Sequence, residues 1–235
     1  MGKRSLIICV FLILSCIAVS GITAGDEITA IHDIQGDGEC SPMFERTVSI
    51  EAVVTGDFQG PEKLKGFFVQ EENSDADAKN ETSEGIFIFD PGSMAIDAGI
   101  SSGDLIEATG KVTEYNNFTQ IILYSIKKVK NGMSQEVRAA HFTLPFKDEQ
   151  FLERYEGMLI ELPQKCIITE NRNYSKYGEM TISPDVRLPV PTNVAEPGVS
   201  ANSVQALNNR SKIILDDGSK QKYPETDPIL KTLRC

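Results

Sequence analysis

Residues 47–57, TVSIEAVVTGD, decide the fold. The apolar residues of this stretch fall on alternate positions: Val48, Ile50, Ala52 and Val54. Gly56 and Asp57, which are turn residues, end the run. Side chains point alternately to the two faces of a β-strand, so the pattern predicts a strand with one buried face.

Four further strand-like runs follow, at residues 65–72, 85–90, 103–115 and 118–129. A short connector at residues 94–101 separates the third run from the fourth. Five strands with a connector in that place match the strand order of an OB barrel, and an ordinary β-sandwich with the same strand count is the alternative. Gly110 lies inside the fourth run, where a small barrel must bend its strand sharply.

The chain divides into a barrel at residues 27–130, a linker at 131–150 and a second unit at 151–235. The second unit has strand-like runs at residues 158–169, 177–183 and 211–215, and a helical pattern at 200–209 that Ser200 could cap. If this unit is also OB-like, its last strands are absent. We therefore predict an all-β protein, with an OB-fold-like barrel followed by a second, partial OB-like β unit.

The first 24 residues have the order of a secretory signal peptide. Lys3 and Arg4 form a basic start, residues 6–19 are apolar except for Ser15, and small residues follow. We expect an N-terminal signal helix and a secreted or extracytoplasmic protein. Two alternatives stay open. The segment could remain as a membrane anchor, since a spanning helix needs about 20 apolar residues, or Cys16 could belong to a lipidation motif.

The charge of the chain works against strong binding to nucleic acids. The net charge is −11, and without Lys3 and Arg4 the chain has 21 basic and 34 acidic residues, a net charge of −13. Affinity for nucleic acids rests largely on basic groups that displace counterions from phosphates. Of the five cysteines, Cys40, Cys166 and Cys235 lie after the signal segment, and we expect them to be free thiols.

Two sets of residues are candidates for binding nucleic acid. The first is aromatic and comprises Phe67, Phe87, Phe89, Tyr115 and Phe118. OB barrels stack bases on exposed rings of this kind, although most of these rings would serve a hydrophobic core equally well. The second set is basic and comprises Lys127, Lys128 and Lys130, which could contact phosphates or form a solvated strand edge.

A third candidate is an acidic loop that could hold calcium. Asp75, Asp77 and Glu84 are carboxylates of the type that a hard cation such as Ca²⁺ prefers. Lys79 stands where a further acidic ligand would be expected, so a solvated acidic loop is the alternative. No other cofactor is indicated.

Several blocks of the sequence resemble one family of proteins. They are IHDIQG at 31–36, VVTGDF at 53–58, GFFVQEE at 66–72, TSEGIFI at 82–88, GDL at 103–105, GKV at 110–112, RYEGM at 154–158, TEN at 169–171, YGE at 177–179, NR at 209–210 and LDDG at 215–218. In this order and spacing they resemble the OB-like region that precedes the catalytic domain in secreted nucleases of the ExeM/NucH type.

The resemblance implies a nuclease-associated module without catalysis of its own. The catalytic domain of that family holds a divalent metal and uses a late Asp-His pair, whereas the two histidines here, His32 and His141, are not preceded by Asp. We expect an exported OB module with weak affinity for single-stranded nucleic acid or a protein partner. The alternatives are an inactive remnant of a metal-dependent endonuclease, and a surface scaffold or adhesion module.

Overall fold

The structure is a computed structural model that describes residues 27–77 and 79–223. The predicted signal helix at residues 1–24 and Cys235 lie outside the described residues. Cys40 and Cys166 are free thiols. Within the described ranges, no helix has the length and apolar character needed to span a bilayer.

Five strands form a closed barrel: β1 (Thr47–Phe58), β2 (Gly66–Gln70), β3 (Gly85–Phe89), β4 (Leu105–Glu114) and β5 (Thr119–Lys130). Their order around the barrel is β1-β2-β3-β5-β4, with β4 returning to β1. The β3–β5 pair is parallel and the other pairs are antiparallel. This is the strand order of an OB fold, so the predicted OB-fold-like barrel is confirmed.

The barrel interior is filled by branched apolar side chains, as the alternation in β1 and β3 requires. Ile50, Ile86 and Ile88 are fully buried there. Helix α1 (Ile31–Gln35) lies against the barrel and buries Ile31 and Ile34 in the same core. The one-turn helix α2 (Met94–Asp97) occupies the connector between β3 and β4.

Gly110 marks the sharp bend in β4, as its place in the sequence suggested. The register between β4 and β5 shifts between Thr109 and Gly110. A Cβ at Gly110 would lie 2.3 Å from the carbonyl oxygen of Ile122. Any larger residue would therefore push the two strands apart at this bulge.

Residues 131–150 join the two units and also pack against both. A 3-10 helix at Ser134–Glu136 follows β5, and Met133 and Val137 bury their side chains against Val53 of the barrel. The short strand β6 (Ala140–His141) pairs with β7 (Ile160–Glu161). Phe142, Leu144 and Phe146 then form a small second core.

The second unit is an open sheet with helices. A second 3-10 helix (Glu149–Tyr155) leads into an antiparallel sheet of β8 (Cys166–Glu170), β9 (Met180–Pro184) and β10 (Ile213–Leu215), in the order β10-β9-β8. The helices are α3 (Tyr174–Tyr177), α4 (Pro191–Val194) and α5 (Val199–Arg210). The residue that caps α5 is Gly198, rather than Ser200 as expected.

The two units meet where β3 begins. A Cβ on Gly85 would lie 2.5 Å from the backbone of Gly157, so the backbones of the two units are in close contact here. The Ser83 hydroxyl donates to the Glu156 carbonyl oxygen at 2.6 Å, and the Glu156 carboxylate accepts from the Thr119 N–H at 2.8 Å. Burial is the main cause that raises the pKa of Glu156 to about 7.

Candidate functional site

The outer face of β2 and β3 carries a cluster of aromatic rings. Ile86 and Ile88 point into the barrel core, so Phe87 and Phe89 lie on the opposite face of β3. Phe68 lies beside Phe87 on β2, with ring centroids 4.9 Å apart. Phe118, from the turn before β5, completes the cluster at 6.3 Å from Phe68 and 6.4 Å from Phe87.

These rings line a cavity of about 580 Å³. Its lining comprises Leu64, Phe68, Phe87, Phe89, Tyr115, Phe118, Gln120 and Lys220. Leu64 belongs to the loop between β1 and β2, whereas Tyr115 and Phe118 belong to the turn between β4 and β5. The strand 2–3 face between these two loops is the surface on which OB folds bind oligonucleotides and oligosaccharides.

Gly66 allows the rings to lie close to the sheet. A Cβ at this position would lie 2.5 Å from the Phe87 ring and 2.2 Å from the carbonyl oxygen of Ile88. Because Gly66 has no side chain, the Phe87 ring can pack directly on the backbone of β2 at this position. This close approach leaves Phe87 only 6% exposed, so it supports the neighbouring rings more than it offers a free face.

A segment of the second unit forms one rim of the cavity. The Lys220 N–H donates to the Glu62 carbonyl oxygen at 2.7 Å and ties residues 216–220 to the loop between β1 and β2. A Cβ at Gly218 would lie 2.4 Å from the ring of Phe58, which itself packs edge-on against Phe68. The aromatic face is thus framed by both units.

The structure separates the aromatic residues proposed from the sequence. Phe87, Phe89, Tyr115 and Phe118 line the cavity together, and Tyr115 is 65% exposed. Phe67 is fully buried in the barrel core and has no face available for stacking, because it precedes Phe68 by one residue and points to the other side of β2. The sequence analysis missed Phe68 and Leu64. The alternation of β2 could have identified Phe68.

The three candidate lysines do not join the aromatic face. Lys127 pairs with Glu107 at 2.9 Å, and Lys128 pairs with Asp104 at 2.6 Å and donates to the Gly99 carbonyl oxygen. Burial opposes ionisation of Asp104, but the ammonium of Lys128 and the hydrogen bonds from Ser101 together outweigh it and lower the pKa of this carboxyl. Lys130 pairs with Leu105 at the end of β5 away from Phe118. None of the three is in the lining of the cavity.

The acidic residues proposed for calcium are also divided. Glu84 turns inward, towards His32 and Glu71, whereas Asp75 is exposed. The Asp77 carboxylate pairs with Lys79 at 3.3 Å. The backbone N–H of Asp77 donates to Glu84 Oε1 at 3.1 Å. Asp75, Asp77 and Glu84 therefore do not converge on one point through their carboxylates.

The carboxylate of Glu84 belongs instead to a largely buried cluster with His32 and Glu71. His32 Nδ1 lies 2.9 Å from Glu71 Oε2 and 3.2 Å from Glu84 Oε2. Burial, followed by the hydrogen bond with Glu84, raises the pKa of Glu71 to about 8. Burial by itself lowers the pKa of His32, but the hydrogen bonds and charges of the two carboxylates outweigh it and raise this pKa.

No protein-family model matches the sequence, and no curated protein matches it. Among solved structures, the hypothetical protein ygiW from E. coli is similar at 16% sequence identity, over 37% of this chain and 77% of that protein, with a TM-score of 0.27. Rim1, a mitochondrial single-stranded DNA binding protein from S. cerevisiae, is similar at 14% identity, over 38% of this chain and 100% of that protein, with a TM-score of 0.28. Both similarities involve little more than a third of the chain.

Proposed function

We propose that the protein binds single-stranded nucleic acid weakly, by stacking bases in the aromatic cavity of its OB barrel. The carrying observation is the position of the rings. Phe68, Phe89 and Phe118 are half-buried and Tyr115 is exposed around one cavity on the strand 2–3 face. Bases of any sequence can stack on such rings, so the binding would tolerate different sequences.

The expected affinity follows from the number of rings. Stacking contributes about 1–3 kcal/mol per base, and a cavity of about 580 Å³ is within the usual range for small-ligand sites. Two bases would then contribute roughly 2–6 kcal/mol. The loss of translational and rotational freedom on association offsets part of this contribution. We therefore expect a micromolar or weaker Kd.

The charge distribution makes phosphate contacts a minor part of this binding. Lys220 is the cation in the cavity lining, while Lys127 and Lys128 are engaged in ion pairs elsewhere on the barrel. One phosphate contact to a single strand would weaken binding about 4-fold between about 20 and 150 mM salt. The salt dependence should therefore be shallow.

The proposal describes a non-catalytic module, exported and related to extracellular nucleases. Its support is the block resemblance and the placement of the histidines. His32 is held by two glutamates, and the exposed His141 pairs with Glu161 at 2.9 Å. A protein partner on the same face, as in a scaffold or adhesion role, remains the alternative to nucleic acid.

A second candidate ligand is an oligosaccharide. OB barrels bind oligosaccharides on the same face, and sugar rings carry no phosphate charge. The observation that favours this class is the lining itself, which combines five aromatic rings with Gln120 and a single lysine in a protein of net charge −11.

The test compares two exposed tyrosines. Tyr115 lines the cavity and is 65% exposed, while Tyr124 is 53% exposed on β5 and is not in the lining. Fluorescence anisotropy with a labelled oligo(dT) of about 15 nucleotides should give a micromolar or weaker Kd for the wild type at about 20 mM salt. Tyr115→Ala should weaken binding by about 5-fold or more, since one stacked base is lost, and Tyr124→Ala should not change it.

Equal affinities in Tyr115→Ala and wild type would remove the aromatic cavity from the binding surface. Absence of oligonucleotide binding, together with saturable binding of a neutral oligosaccharide that Tyr115→Ala weakens, would favour the second candidate. A nanomolar Kd that persists at about 150 mM salt would show that stacking and other contacts independent of phosphate charge had been undervalued.

A further inference from the structure

The cluster of His32, Glu71 and Glu84 brings together three distant parts of the chain. His32 belongs to α1, Glu71 follows β2, and Glu84 immediately precedes β3. The side chains are 13%, 5% and 10% exposed, respectively. One donor atom from each residue lies within 4.8 Å of the other two.

Backbone amides orient both carboxylates. Glu71 Oε1 accepts the N–H of Ile31, and Glu84 Oε1 accepts the N–H of Asp77. In each glutamate this leaves the other oxygen, Oε2, directed at His32 Nδ1. Metal-binding carboxylates are commonly fixed in this way, because a hydrogen bond to one oxygen holds the second in position for the ion.

The spacing of the donor atoms suits a shared ion. Ligands about 2.0–2.2 Å from a metal, at angles between octahedral and tetrahedral, lie roughly 2.8–3.6 Å apart. The two distances at His32 Nδ1, 2.9 and 3.2 Å, fall in this range. Hydrogen bonds have similar lengths, so the distances alone do not choose between an ion and a proton.

The charge of the site can be balanced by a divalent ion in place of protons. Two carboxylates share one imidazole in a largely buried site, and the lysine of the adjoining loop, Lys79, pairs with Asp77 instead. Buried carboxylates are tolerated when a cation balances their charge or when they take up protons. A dication would balance both carboxylates and would leave the imidazole neutral, as a metal ligand must be.

We propose that His32, Glu71 and Glu84 form a binding site for a divalent transition metal ion, such as Zn²⁺ or Mn²⁺. An imidazole nitrogen with two carboxylate oxygens is a donor set for these ions, whereas Ca²⁺ takes six to eight oxygen ligands. The site differs from the acidic loop proposed from the sequence in both its residues and its metal.

The bound ion would act as a structural clasp. It would join α1 to the ends of the two strands that carry Phe68 and Phe87, and would hold the loop between them through the contact of Asp77 with Glu84. None of its three ligands is in the lining of the aromatic cavity. Metal binding and oligonucleotide binding can therefore fail or succeed separately.

Titration of the metal-free protein with Zn²⁺ alone tests the proposal. Isothermal titration calorimetry should show one site per chain, and saturation should raise the Tm because the ion binds the native state. Glu84→Gln and Glu71→Gln keep the size of each side chain and an oxygen for the amide N–H. Each should weaken Zn²⁺ binding by about 10-fold or more and reduce the rise in Tm at a given Zn²⁺ concentration.

His141→Ala is the matched control, because His141 is the other histidine of the chain and pairs with a glutamate at the surface. This variant should bind Zn²⁺ as the wild type does. Substitution with Co²⁺ should give a spectrum without the intense thiolate bands that ligation by Cys40 or Cys166 would produce.

The measurement on metal-free variants separates loss of the site from loss of the fold. Glu84→Gln removes one of two facing carboxylates, so its Tm without metal should equal or exceed that of the wild type. The proposal is overturned if the wild type binds neither Zn²⁺ nor Mn²⁺ at millimolar concentration. It is also overturned if Glu84→Gln binds as the wild type does, or if Ca²⁺ binds this site more tightly than Zn²⁺.

Discussion

Gly157 holds the backbone of the second unit against the barrel, and replacing it should loosen the contact between them. Its φ of 73° is in the left-handed region, and a Cβ there would lie 2.8 Å from the backbone N and Cα of Ile86. Gly132 has the same φ of 73°, but a Cβ on that residue would have no neighbouring atom within 4 Å. The pair therefore separates backbone strain from steric contact.

The magnitude follows from these two terms. Left-handed backbone disfavours alanine by about 1–2 kcal/mol, and alanine recovers about 0.4–1 kcal/mol by restricting the unfolded chain. Gly132→Ala should therefore lower the free energy of unfolding by about 1 kcal/mol. Gly157→Ala adds an overpacking term of about 1–3 kcal/mol, for a total of roughly 2–4 kcal/mol.

The assay is thermal unfolding followed by circular dichroism, with limited proteolysis of the folded protein. For a domain of this size each kcal/mol lowers the Tm by about 2–4 °C, so Gly157→Ala should unfold roughly 5–15 °C below the wild type. Protease should also cut this variant faster near residues 131–160. If the two variants had the same Tm, the close contact between Gly157 and Ile86 would contribute nothing, and the reasoning would be refuted.

Three further substitutions test other parts of the molecule. Phe67→Ala should lower the free energy of unfolding by about 3–5 kcal/mol in urea titrations, because this ring is fully buried; a loss under about 1 kcal/mol would contradict its place in the core. Glu156 keeps its proton in the folded protein up to about pH 7, whereas the ordinary pKa is 4.5, so this group makes stability fall as pH rises from about 4.5 to 7. Glu156→Gln should flatten that part of the fall in Tm, and an unchanged pH profile would count against it. Lys128→Ala should lower the Tm by breaking the pair with Asp104 but leave the oligonucleotide Kd unchanged, and a weaker Kd would return Lys128 to the binding surface.

The barrel could be predicted from the sequence because its signals are local. Alternation in residues 47–57 and turn residues between the runs gave all five strands to within a few residues of β1 to β5. The second unit was harder to predict. The run at 158–169 contains Pro163, which cannot donate to a ladder, and it divides into β7 and β8. The packing of Phe142 and Phe146 depends on contacts with residues after them, which no local pattern records.

Only part of the candidate site could be predicted from the same local patterns. Alternation places Phe87 and Phe89 on one face but does not say which face is outside. The buried rows of Ile86 and Ile88 decide that question, and they are known only once the barrel closes. The lysines lie apart from the cavity because β5 is long, and Lys128 is ten residues from Phe118 along the chain.

Several separate stretches of the sequence come together in space at contacts outside the aromatic cavity. Gln35 of the first block donates to the Gly85 carbonyl oxygen at 2.6 Å, and Gln70 of the GFFVQEE block accepts the Leu159 N–H at 2.9 Å. His32, Glu71 and Glu84, from three blocks, meet in the buried cluster.

This convergence has a physical reason. Gly85 and Gly157 must be glycines because the backbone of the other unit approaches each of them closely. A buried glutamate is tolerated only where partners from other segments of the chain contact it. Such residues are therefore constrained jointly by their contacts. The rings of the cavity need only be flat and apolar. The residues at these contacts therefore determine chiefly how the second unit is docked on the barrel, whereas Leu64, Phe89 and Tyr115 line the cavity. A chain in which Tyr115 is replaced by alanine should keep its stability and bind its ligand more weakly, whereas one in which Gly157 is replaced by alanine should lose stability at the contact between the units.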